Sequence, residues 1–98
     1  MSERTASAIA RIDDLLAAIA ALPASAAKDE LVETTGALRR AVAAFHMEAI
    51  RFRMFTVDRL LKSTSAPQCL PLFEAVRHEL ETAGFHTRSH AAPPQKTA

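Results

Sequence analysis

The chain has 98 residues, 49% of them hydrophobic, with two glycines and neither tyrosine nor tryptophan. That is enough for one modest core, too little for two, and too poor in strand-forming side chains for a β-rich fold. Twelve bases against eleven acids leave a formal charge of +1, which excludes recruitment of a polyanion by net charge alone.

An all-α domain over residues 1–85 is therefore expected. Cys69 is the single cysteine, so no intramolecular disulfide is possible and a reducing cytoplasm is the simpler setting. No apolar run approaches the roughly 20 residues of a membrane span.

The first predicted helix covers about residues 5–22. Ile9, Ile12, Leu16 and Ile19 step three, four and three residues apart, Leu15 and Leu22 widen the stripe, and Asp13 and Asp14 fall on the wet face. Thr5 or Ser7 is the expected cap and Pro23 the stop. A rival reading takes Leu15–Leu22 as the apolar part of an N-terminal signal peptide with Ala24–Ala27 as its cleavage site; Asp13 and Asp14 leave it an apolar stretch of only about eight residues.

The second predicted helix runs from Lys28 or Asp29 to about Ser63, roughly 50 Å at ~1.5 Å per residue. Its signature is a heptad ladder of Leu31, Thr35, Leu38, Val42, Phe45, Ala49, Phe52 and Thr56. The weak point lies at Glu33, Thr34, Thr35 and Gly36, where β-branching and a glycine lower helical propensity. A turn over 63–70 leads to a third helix, about 71–83. Pro71 suits its first turn, and Phe73, Val76, Leu80 and Ala83 form its inner stripe. Gly84 takes the left-handed cap position, with Phe85 folding back on Leu80. Residues 86–98, with Pro93 and Pro94, have no apolar periodicity and are expected to form a flexible tail.

Two stripes compete in the second half of the long helix. One continues the ladder through Phe45, Ala49, Phe52 and Thr56; the other is Met47, Ile50, Met54, Val57 and Leu61. One covering helix cannot bury both. The economical expectation is a homodimer paired across Phe45, Ala49, Phe52 and Thr56, which completes the bundle, with Met47, Ile50 and Met54 as a groove for a partner helix. A monomeric three-helix bundle kinked at Gly36 is the alternative.

Arg39, His46 and Arg53 form a cationic line at heptad spacing between the stripes, a candidate for an anion or an acidic partner. Pairing of these arginines with Asp13, Asp14, Glu74 or Glu81 is the structural counterpart. In mid-helix, His46 is also a candidate phosphoacceptor for a histidine-phosphotransfer-like signalling helix. However, Met47, Glu48 and Ala49 follow it without the usual lysine, glycine or proline punctuation.

Residues 39–62 hold six bases and two acids, which admits weak nucleic-acid binding. These bases wrap the helix, though, and residues 1–38, with three bases and six acids, dilute them. His86 and His90 have metal-ligand spacing in a segment without helical pattern, and Glu74 and His78 share it on a helix as an ordinary surface pair. No four-ligand set, cofactor motif or catalytic constellation follows. A small non-enzymatic interaction or regulatory module is the expected function.

Overall fold

A computed structural model describes residues 3–85; the expected flexible tail over 86–98 and the His86/His90 pair lie outside the described residues. Helix α1 spans Glu3–Ala20, α2 Ala26–Ala43, α3 Met47–Ser63 and α4 Leu70–Thr82, with one turn of 3₁₀ helix over Pro67–Cys69 ahead of α4. The described residues are all-helical apart from their turns, as composition predicts. They form four α-helices rather than three.

Helix α1 buries Ile9, Ile12, Leu15 and Ile19. Thr5 sits inside its first turns, fully buried, and so does not cap the helix from outside. The α-helix ends at Ala20, two residues before the expected Leu22. There the N–H groups of Ala21 and Leu22 reach back only three residues, to the carbonyls of Ala18 and Ile19, and Pro23 forbids continuation. Lys28 donates from Nζ to the carbonyls of Ala20 and Leu22 at 2.9 and 3.0 Å, satisfying acceptors that the helix end leaves open. Helix α2 starts earlier than its charge pattern suggests, because Ser25, in extended conformation, caps it by accepting the Lys28 N–H at 3.0 Å.

The long central helix predicted over 28–63 is two helices. The break is at Ala44–His46, and Gly36 is an ordinary residue within α2. Ala44 is the C-cap and Phe45 follows it with φ +58°. The Phe45 N–H donates to the Val42 carbonyl at 3.1 Å and the His46 N–H to the Ala41 carbonyl at 3.0 Å. This paired closure, six residues spanned by one bond and four by the other, is the Schellman motif. His46 then restarts the helix as the N-cap of α3, its Nδ1 accepting the Ala49 N–H at 3.3 Å. The same closure ends α4 with glycine in the left-handed position: Gly84 has φ 100°, and the Phe85 N–H donates to the Leu80 carbonyl at 2.9 Å.

The break rotates the second half of the chain onto the core. In α2 the buried stripe is Leu31, Thr35, Leu38 and Val42; in α3 it is Ile50, Met54, Val57 and Leu61. The two stripes that compete on a single helix are the core faces of two helices. Helix α1 packs against both α2 and α4, α2 packs against α3, and α3 meets α4 lightly and through the Pro67–Cys69 turn. Phe73 of α4 is the largest fully buried side chain.

Candidate functional site

Because Ile50, Met54, Val57 and Leu61 face the core, the opposite side of α3 faces solvent. Phe52 stands at its centre and is 47% exposed. The Thr56 hydroxyl donates to the Phe52 carbonyl at 3.0 Å, and the Arg53 guanidinium lies 5.2 Å from the centroid of the Phe52 ring, within reach of a cation–π interaction. Ala49 and Thr56 flank it, both half-buried. Three of the four expected interface residues therefore share one face. Phe45 does not: it sits in the α2–α3 turn, 44% exposed, stacked on Phe85 at 5.9 Å and 29°.

Met47, Ile50 and Met54 do not form the expected groove for a partner helix. Ile50 and Met54 are fully buried and Met47 is half-buried against the same core. Their apolar stripe is consumed within the chain, so it offers no surface to a partner helix.

The cationic line is likewise dispersed. Arg39 turns toward α1, donating from Nε to Asp13 Oδ1 at 2.7 Å and from Nη2 to Asp13 Oδ2 at 3.1 Å. This two-pronged bond holds the Asp13 carboxyl below its ordinary pKa and the Arg39 guanidinium above its own. His46 is an exposed helix cap and not a mid-helix residue, with Nδ1 engaged by the backbone. Of the three, only Arg53 lies against the outer face.

A cleft of about 240 Å³ runs between the exposed shoulders of α2 and α3. On the α2 side Glu30, Glu33, Ala37 and Arg40 step three, four and three residues apart; on the α3 side stand Arg53 and Leu60. Thr56 lies on the rim, and Thr34 is buried among the lining residues with no hydrogen-bond partner for its Oγ1 among the described residues. The Arg40 guanidinium lies back over Gly36, where an added Cβ would stand 3.7 Å from it. The step of 30, 33, 37 and 40, one residue out of phase with the core stripe, was readable from sequence. Its significance was not, because only the break at Phe45 brings Arg53 and Leu60 alongside it.

The other bases of residues 39–62 are dispersed as well. Arg51 pairs with Glu48 at 3.9 Å, Lys62 with Asp58 at 3.3 Å, and Arg59 lies over Phe55. Glu74, four residues before His78 on α4, pairs with Arg77 at 3.3 Å. Among the described residues no three histidine, cysteine or acidic side chains gather as metal ligands. The Cys69 thiol is buried, and burial raises its pKa. No helix among the described residues is long and apolar enough to cross a membrane. Comparisons with family models, with curated proteins and with solved structures find no match to this chain.

Proposed function

We propose that this chain is a small, non-enzymatic interaction module that acts as a homodimer through the outer face of α3, with Phe52 as the anchor and Ala49 and Thr56 beside it. The observation that carries this reading is the 47% exposure of Phe52 on a helix whose core-facing residues are all fully buried. A large aromatic ring at the centre of an outward face, bordered by a small residue and a hydroxyl, is the composition of an interface anchor with a polar margin. Arg53 over the ring restricts its rotamers before any partner arrives, which lowers the ordering cost of association.

The test is solution mass by light scattering over a dilution series, on the wild type and on Phe52→Glu. The wild type should run as a dimer that dissociates on dilution. Phe52→Glu should be monomeric throughout with its helical circular dichroism intact, because residue 52 contributes little to the monomer core. Loss of a buried aromatic anchor costs about 2 kcal/mol of association or more, roughly 30-fold in Kd. A wild type that is monomeric at every concentration would overturn the reading.

A further inference from the structure

Resting on that homodimer reading, we infer that the α2–α3 cleft is self-complementary and sets the partner copy antiparallel, acidic end on basic end, about a two-fold axis near Thr56. The cleft is charged in opposite senses at its two ends. Arg40 and Arg53 lie toward the Ala44–His46 turn; Glu30 and Glu33 lie toward the far end, beside Leu60. Glu33 and Arg40 are seven residues apart, about 10 Å along the helix axis at ~1.5 Å per residue.

Among the described residues, none of the ion pairs takes up Glu30, Glu33 or Arg40, whereas Asp13, Glu48, Asp58 and Glu74 are each matched to a base. Arg53 is held over Phe52, on the border between the cleft and the exposed ring. Charge complementarity selects the occupant. A uniformly acidic or basic partner would match one end of the cleft and be repelled by the other, while a second copy turned end for end matches both.

A two-fold axis makes the surface meet itself, so residues at one end must complement those at the other. A parallel pairing sets glutamate on glutamate and arginine on arginine, which disfavours it. Thr56 and Ala37, both lining the middle of the cleft, then fall near the axis, with the two Phe52 rings beside it.

Charge reversal tests this arrangement. Glu30→Arg with Glu33→Arg makes the cleft wholly basic, and Arg40→Glu with Arg53→Glu makes it wholly acidic. Each double variant alone should dimerise at least roughly tenfold more weakly than the wild type, and an equimolar mixture should recover a dimer at least as tight. Variants that dimerise as well as the wild type would overturn the antiparallel cleft while leaving the dimer standing; a wild type that is monomeric throughout would instead defeat the homodimer reading on which it rests.

Cross-linking tests the register without changing any charge. A short bis-maleimide should join Thr56→Cys chains efficiently. It should not join Ser63→Cys chains, whose exposed thiols fall about 20 Å apart when residue 63 lies seven residues from the axis. Equal cross-linking at the two positions would overturn the antiparallel arrangement.

Discussion

At the scale of single residues, the least comfortable side chain is Thr35. It is completely buried in α2, and its Oγ1 has no hydrogen-bond partner among the described residues. A buried hydroxyl without a partner keeps the cost of leaving water and recovers nothing, on the order of 1–3 kcal/mol. Valine has nearly the same shape and the same β-branch, so the helix and the packing are preserved while the polar atom is removed. Thr35→Val should therefore stabilise the domain by about 1 kcal/mol, read as a higher midpoint in urea with an unchanged slope. A destabilised variant would mean that the hydroxyl bonds back to a carbonyl of the preceding turn. Composition alone could not flag this position: a threonine at a core spacing reads as a tolerated polar residue, and whether its hydroxyl is satisfied depends on neighbours that only the fold supplies.

At the scale of elements, what the sequence made legible and what it concealed have one physical cause. Turns written in residues with unusual backbone preferences are readable: Pro23, whose ring restricts the chain, ends α1, and Gly84, free to take positive φ, closes α4. The turn between α2 and α3 is written in Ala44, Phe45 and His46, none of which announces a left-handed residue. The heptad spacing also runs through it unbroken from Val42 to Phe45 and Ala49. The legible sign was the second stripe from Met47 to Leu61: two apolar faces on one supposed helix are what two helices in different rotation look like when laid end to end. Laid out as one continuous helix, Met47, Ile50 and Met54 fall on a partner surface; across the break they face the core.

The location of the break makes a prediction of opposite sign from a continuous helix. Phe45 has φ +58°, a conformation costing a residue with a Cβ roughly 1 kcal/mol or more and glycine almost nothing. Phe45→Gly and Phe45→Ala both lose the stack on Phe85, so comparing them isolates the backbone. The glycine variant should be the more stable by about 1 kcal/mol in urea unfolding. In a continuous helix through residue 45 the order would invert, with alanine ahead by a similar amount.

At the scale of the whole molecule, two phenylalanines separate folding from association. Phe73 is fully buried in α4, which lies along α1 and meets α3 only lightly; Phe52 is 47% exposed on the far side of α3. Truncating Phe73 to alanine removes the largest side chain of the core and should cost about 3–5 kcal/mol, a large part of the 5–15 kcal/mol that holds a domain of this size. Truncating Phe52 sacrifices only a half-buried ring and should cost the isolated monomer about 1 kcal/mol at most. The two variants should also differ in how stability depends on concentration. If the folded chain is a dimer, mass action raises the urea midpoint as protein concentration rises. That rise should persist in any Phe73→Ala protein that remains folded, displaced to lower urea, because its outer face is unchanged. In Phe52→Ala the same rise should set in only at roughly 30-fold higher concentration, because association is weaker by about 2 kcal/mol. A Phe52→Ala midpoint that climbs over the same concentrations as the wild type's would place the interface elsewhere on the molecule, and one that falls as far as Phe73→Ala would make Phe52 part of the core instead of the anchor of a second copy.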